Sequence, residues 1–232
     1  MKVLIIIPAF NEAGNLKGVV ESLQQENRNW DIVVVDDAST DNTNFIAREL
    51  EAIRVITLPY NLGIGGCVQT GIKFAKKYDY DVVVQFDGDG QHRASDVSKI
   101  IDSFKNLDFL IGSRFLDKAD RRGNRSTFIR RIGIKTFRIL IRILMKKRIT
   151  DATSGLRIFG KQAINLLVDY YPQDYPEPET VVYLLKNGLS AGEVQVQMND
   201  RKYGKSSISP FESIYYMVKV IVSILFSKIR RY

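Results

Sequence analysis

The first half of the chain alternates between short apolar runs and longer segments whose apolar residues recur every three or four positions. The runs are residues 3–7, 32–35, 55–58, 82–86 and 109–111. Each is apolar almost throughout rather than at every second position, as expected of strands buried on both faces of a parallel sheet. Between them, residues 13–26, 42–50, 65–77 and 95–105 have helical spacing. Repeated β-α units of this kind predict an α/β fold: a mostly parallel, doubly wound sheet flanked by helices. Ligands of such sheets bind beyond the carboxyl ends of the strands. The chain places PAFNE, DDASTD, NLGIGG, DGDGQ and GSR there, one after each run, so these loops are expected to gather at one site.

The second half changes character. A long helix is expected over 128–147, followed by a turn and strand around DATSGLRIF and a helix over 161–168. The proline-rich YPQDYPEPE reads as a linker, leading to a helix that ends near 187 and a strand over 192–198. NDRKYGKSS reads as a loop, and a final amphipathic helix is expected over 210–232. That helix has a narrow polar stripe (Glu212, Tyr216, Lys219, Ser223, Ser227, Arg230) and is otherwise apolar. It would dock at a membrane interface, on a small membrane partner, or on a second copy of the chain. No run reaches the roughly 18–20 apolar residues of a membrane-spanning helix. The opening MKVLIIIPAF reads as a first strand rather than a leader, because its apolar run is short and no small-residue cleavage site follows.

With 232 residues, one large domain with a substantial core is expected, and two full domains are not. A single cysteine, Cys67, can form neither an internal disulfide nor a zinc cluster, which points to a reducing, cytoplasmic compartment. The net charge of +8 is concentrated. Residues 121–148 hold eleven lysines and arginines and no acid, so the rest, with 23 basic and 26 acidic residues, is slightly negative. Such a stripe suits an anionic partner: a membrane surface, a phosphorylated substrate, or nucleic acid. Basic residues 131, 135, 138, 142 and 146 share one helical face, with Ile132, Ile139 and Ile143 on the remainder, which favours an anionic membrane surface. Nucleic acid is not expected, since only Phe128 and Phe137 in the stripe could stack on bases.

The oddest polar stretch is VVVQFDGDGQH. Asp87 and Asp89 close a strand, separated by Gly88. Asp-Gly is a common turn pair, and two carboxylates at i and i+2 also suit a hard divalent cation. A second acidic loop, VVVDDASTD, at a neighbouring strand end tips the balance toward a metal-nucleotide site. Neither a dinucleotide fingerprint after the first strand nor a P-loop is present. The glycines of NLGIGG serve either close approach to a ligand or helix, or helix capping. His92 is either a substrate contact or a surface loop residue.

Taken in order, PAFNE, VVVDDASTD, NLGIGG, DGDGQ, GSR, DATSGLR and RKYGKSS resemble the family 2 glycosyltransferases of GT-A fold. Within these, the chain is most similar to the dolichyl-phosphate-mannose synthase-like, polyprenyl-phosphate glycosyltransferase branch. The resemblance implies a GT-A domain over 1–209, with a nucleotide-sugar half to about 114 and an acceptor half from 115. It implies that Pro8, Phe10, Glu12, Asp37 and Gly65 line the nucleotide pocket. Asp87, Asp89 and Gln91 would touch a Mg2+ or Mn2+ ion bridging the donor diphosphate, with Asp89 catalytic in that sense. Arg114 and Arg131 would receive the phosphate of a polyprenyl phosphate acceptor, and Arg201 the donor diphosphate. Ala94 and Ser207 depart from the branch, where proline and a lysine or histidine are common; Lys205 could replace the second. The implied activity is inverting transfer of a sugar from a nucleotide-sugar, a UDP-sugar by preference, at the cytoplasmic membrane face, for cell-surface glycan synthesis. A hydroxyl acceptor would instead need a carboxylate base, for which Glu179 or Glu177 of the PEPE segment is available.

Overall fold

In the computed structural model, described for residues 1–26, 29–117, 128–173, 176–199, 219 and 222, the elements follow the expected alternation. For residues 128–132 and 134 the backbone alone is described. Strands β1 (Val3–Ala9), β2 (Trp30–Asp36), β3 (Arg54–Thr57), β4 (Val82–Gln85) and β5 (Phe109–Ser113) are separated by α1 (Leu16–Gln25), α2 (Thr43–Glu49), α3 (Gly63–Lys77) and α4 (Ala94–Ser103). Then come α5 (Phe128–Met145), β6 (Arg157–Gly160), α6 (Lys161–Asp169), α7 (Pro176–Lys186) and β7 (Ala191–Gln195).

All seven strands form one sheet in the order β3-β2-β1-β4-β6-β5-β7. Every pairing is parallel except those of β6, which runs antiparallel to both β4 and β5. The loops that follow β1 to β5 therefore share one edge, as expected, and the reversed β6 adds its own leading loop, DATSG, to that edge. Residues from both expected halves of the chain interleave in this single sheet. The expected break at 209–210 and the helix over 210–232 lie outside the described residues, apart from Lys219 and Val222, which are helical.

The strands are apolar throughout because each face has its own core. Leu4 and Ile6 of β1 pack toward α3, α6 and α7, while Val3, Ile5 and Ile7 pack toward α1 and α4. Burying both sets removes several large aliphatic side chains from water, at about 1.5–3 kcal/mol each, which fixes β1 as an interior strand. The PEPE segment is not a linker. Pro176 and Pro178 stand in the first turn of α7, where a missing N–H costs nothing, and both are buried. Among the described residues, no helix is long and apolar enough to cross a membrane.

Candidate active site

The loops after β1 and β2 are stitched together first. Asn11 N–H donates to Ser39 Oγ at 3.0 Å, Glu12 N–H to Thr43 Oγ1 at 2.8 Å, and Ala13 N–H to Asp41 Oδ2 at 3.2 Å. Thr40 N–H returns a bond to Asn11 Oδ1 at 2.9 Å. Burial opposes charge on Asp41, but the bonds it accepts from Thr43 and Ala13 outweigh it and hold the carboxyl below the usual range. PAFNE and DDASTD thus form one rigid lip. Phe10 projects from it with 46 % exposure, Pro8 is buried in β1, and Glu12 accepts a bond from Asn15 Nδ2 at 2.7 Å.

Asp37 is buried at 2 % exposure, and both of its oxygens are engaged. Leu62 and Gly63 donate their backbone N–H groups to it at 2.7 and 2.8 Å, where α3 begins. A carboxylate at a helix N-terminus meets unsatisfied N–H groups and the positive end of the dipole. Within this chain Asp37 therefore fastens the NLGIGG turn. Gly65, expected at a nucleotide, faces the chain itself: a Cβ there would come within 2.6 Å of the Pro172 carbonyl. Close packing, one of the two readings of those glycines, accounts for it.

The DGDGQ loop leaves β4 at the same edge of the sheet. Asp87 lies 3.5 Å from His92 Nε2 through Oδ2, and its Oδ1 is shielded without a hydrogen-bond partner. His92 is not a surface residue; it is 4 % exposed and bridges to Met198 beyond β7. Burial would raise the Asp87 carboxyl, but the bond and charge of His92 and the charges of Arg157 and Arg114 outweigh it, keeping it ionised. Asp89 accepts the Gln91 N–H at 3.0 Å, and Gly90 takes a left-handed φ of 73° to close this turn. An anionic oxygen without a donor, beside a second carboxylate, fits a hard cation that completes its shell with water and donor phosphates. Among the described residues no three acidic, histidine or cysteine side chains cluster as a metal cage.

DATSG, brought in by β6, forms the floor. A Cβ on Gly155 would stand 2.0 Å from Asp87 Oδ2, so Asp87 rests directly on the Gly155 backbone. Gly155→Ala is therefore expected to displace the Asp87 carboxylate and lower transfer by roughly 10²-fold, with a smaller effect on folding. Steady-state kinetics over a metal titration, set beside thermal melting, would check this.

Arg114 of GSR is buried and clamped. Its Nε and Nη2 donate to the two oxygens of Asp151 at 2.6 and 2.7 Å, and Nη2 also reaches Thr153 Oγ1 at 2.9 Å. The Asp151 carboxyl, which burial alone would raise, is held low by Arg114. Glu193 of β7 supports the same loop, accepting the Thr150 N–H at 2.8 Å and the Asp151 N–H at 2.9 Å. Sequence reasoning missed Glu193 and also Arg157. At 1 % exposure, Arg157 donates to the carbonyls of Ser154, Ala152 and Glu177 at 2.8, 2.7 and 2.6 Å. It ties the DATSG floor to the first turn of α7. Glu177 belongs to this charge cluster: burial pushes its carboxyl up, against the pull of Arg157, and the Asp87 charge adds to the push. The side chain of Arg131, and all of Arg201, Lys205 and Ser207, lie outside the described residues.

A sheet with one reversed strand, a DGD loop at its parallel edge and a DATSG floor beneath it can be set beside known proteins. Residues 4–167 match the sequence profile described as glycosyl transferase family 2. The chain belongs to that family. It is 33% identical over 216 residues to a UDP-N-acetylglucosamine–dolichyl-phosphate N-acetylglucosaminyltransferase of Methanococcus voltae, covering 84% of each chain. It is 28% identical over 218 residues to the polyprenol monophosphomannose synthase of Mycolicibacterium smegmatis, covering 90% of this chain and 81% of that one. Glucosyl-3-phosphoglycerate synthase from Mycobacterium tuberculosis, solved with Mn2+, UDP and phosphoglyceric acid, superposes with a TM-score of 0.72 at 15% identity. That match covers 98% of this chain and 78% of that one, and at such low identity it speaks for the shared GT-A fold alone.

Proposed function

We propose that this family 2 glycosyltransferase moves a sugar, with inversion, from a nucleotide-sugar onto a polyprenyl phosphate at the cytoplasmic face of a membrane. The observation that carries the reading is the Asp87 carboxylate, ionised, resting on Gly155, with one shielded oxygen lacking any donor. The relatives named as dolichyl-phosphate and polyprenol transferases supply the acceptor class, and the first of them favours a UDP-sugar donor.

In this reading Asp87 and Asp89, with Gln91 beside them, would hold Mg2+ or Mn2+, which supplies positive charge to the departing diphosphate. The rigid lip with Pro8, Phe10 and Glu12 would receive base and ribose, and Asp37 would act on that pocket through the turn it fastens. His92, Arg157 and Gly155 keep the Asp87 carboxylate ionised and in place before any ligand arrives, so little reorganisation is left for the reaction. A phosphate monoester, with a second pKa of about 6, attacks without a strong base, so positioning is the main demand on the acceptor side. Arg114, Arg131 and Arg201 remain the arginines assigned to phosphates; Arg114 would do so with its charge already shared with Asp151.

A second reading, transfer to a hydroxyl, finds support in Glu177. Its carboxyl, pushed up by burial beside the site, has the environment of a general base, and it stands beside Glu179 in the first turn of α7 as a second candidate for that role.

The test is transfer from radiolabelled UDP- and GDP-sugars to undecaprenyl phosphate with Mg2+, Mn2+ or a chelator. Metal-dependent label in the organic phase, released by mild acid, is expected with one donor. Donor binding without any organic-phase label would sink the phosphate-acceptor reading, and the hydroxyl reading would then be tested through Glu177→Gln.

A further inference from the structure

The residues just after Asp89 are held by a short piece of chain from beyond β7. Residues 197–199 lie against the DGDGQ loop: His92 and Met198 form an antiparallel bridge, and the Asn199 N–H donates to the Gln91 carbonyl at 2.8 Å. As side chains alternate along a strand, 197 and 199 face one way and 198 the other, and both directions are used. Met198 Sδ accepts from Arg114 Nη1 at 3.6 Å. On the opposite side Arg93, the residue before α4, donates from Nε to Asn199 Oδ1 at 3.0 Å and from Nη1 to Gln197 Oε1. Asp96, in the first turn of α4 and 7 % exposed, accepts the Gln197 N–H at 3.0 Å.

An exposed arginine ahead of a helix is commonly no more than a solvated charge, and Arg93 is exposed. Its partners set it apart. A guanidinium carries its donors in one rigid plane, so it can hold two oxygens at once and fix the distance between them, whereas an ammonium is a single point. Here both oxygens belong to amide side chains two positions apart on the same segment. Arg93 therefore grips the segment by its side chains while Asp96 grips it by its backbone. What the segment holds in turn is Gln91. The Gln91 N–H is already given to Asp89 at 3.0 Å, and its carbonyl is taken by Asn199, so both backbone groups of Gln91 are fixed, one within the loop and one from outside it. His92, the next residue, stands 3.5 Å from Asp87.

We propose that Arg93 is a positioning residue for the cation loop. By gripping Gln197 and Asn199 it keeps residues 197–199 on Gln91 and His92, and so fixes Asp87, Asp89 and Gln91 relative to one another before a cation arrives. The acceptor side depends on it less, because Arg114 has its own clamp in Asp151 and Thr153. The role rests on the proposed reading of DGDGQ as the cation loop; the grip itself does not.

The test is a metal titration of transfer by the full chain, with amide hydrogen exchange alongside. Arg93→Ala is expected to raise the metal concentration for half-maximal transfer about three- to tenfold, below the usual effect of losing a group that bonds a metal ligand directly. The KM for the polyprenyl phosphate should stay within about twofold of the wild type. Arg93→Lys, which can hold one amide at a time, should recover part of the loss. Gln197→Ala/Asn199→Ala should reproduce the effect, and adding Arg93→Ala to it should change nothing further. With no metal or substrate present, the Asn199 amide should exchange about three- to tenfold faster in Arg93→Ala, while Tm falls by no more than about 2–4 °C. Unchanged exchange at Asn199, or unchanged metal demand in a metal-dependent enzyme, would overturn the inference. So would a raised donor KM at unchanged metal demand, since the segment would then serve the donor rather than the cation loop. Rates that fall in step with Tm across all variants, with the metal demand constant, would reduce Arg93 to a general brace. Wild-type transfer that needs no metal would remove the cation reading and this role with it, whereas a metal-dependent wild type with an indifferent Arg93→Ala would remove the role alone.

Discussion

Asp89→Asn is expected to lower sugar transfer by roughly a hundredfold or more, because it removes one of the two negative charges meant to hold the cation over the donor diphosphate. The substitution keeps the shape of the loop. An asparagine oxygen can still accept the Gln91 N–H that Asp89 accepts at 3.0 Å, and Gly90 still supplies the left-handed residue of the turn. Thermal melting of the variant should accordingly stay close to that of the wild type. The metal concentration needed for half-maximal activity should rise, whereas a defect in the loop alone would lower the maximal rate at every metal concentration. A variant with full activity and unchanged metal dependence would mean that the cation is held elsewhere.

The second large effect concerns stability. Asp151→Ala would leave the Arg114 guanidinium buried at 6 % exposure with Thr153 and Met198 as side-chain hydrogen-bond partners and the Phe115 ring beside it, and no paired carboxylate. Breaking one side of a buried pair costs about 3–5 kcal/mol, a large part of the 5–15 kcal/mol that holds a typical domain together. For a chain of this size that corresponds to a fall in Tm of roughly 6–20 °C. Arg114→Met/Asp151→Leu removes both charges and should recover much of the loss, because the desolvation cost disappears with the attraction. Activity separates two roles for Arg114. Recovery of transfer in the double variant would make it a strut for the DATSG loop, and continued loss would mean that it also touches the acceptor phosphate. The same pair predicts a pH dependence. The Asp151 carboxyl is held below its unfolded value, so its contribution is fully present above about pH 4 and is lost as the pH falls through the folded value. Melting curves taken below about pH 4 should show a smaller difference between wild type and Asp151→Ala than curves at neutral pH.

Much of this architecture was legible because burial on both faces writes continuous apolar runs. Residues 3–7, 32–35 and 82–86 could hardly be anything but central strands, and the acidic loops after them marked the site. Other features were hidden by what sequence patterns cannot carry. β6 spans only Arg157–Gly160 and opens with a charged residue, so its antiparallel place between β4 and β5 leaves no periodic trace. Arg157 reads as a surface residue because its partners are backbone carbonyls, which have no identity in sequence. Glu193 is obscured for the same reason, since it holds the N–H groups of Thr150 and Asp151. The prolines of PEPE pointed to a linker, whereas their missing N–H groups suit the first turn of α7. On α5 the period was right but the phase was not, because Arg138 spends its length on Thr150 instead of solvent.

The reversed strand also sets an order of events during synthesis. β4 and β5 leave the ribosome one after the other, yet in the finished sheet they are not neighbours, and the gap between them belongs to a strand that begins 44 residues after Ser113. At about 5–20 residues per second, the nascent chain carries that empty slot for roughly 2–9 s. During this interval two apolar strands that run in the same direction wait without the partner that separates them in the finished sheet. Slowing translation across residues 114–156 would lengthen that wait and is expected to raise the share of misassembled chains, read as aggregated protein in a timed in-vitro synthesis.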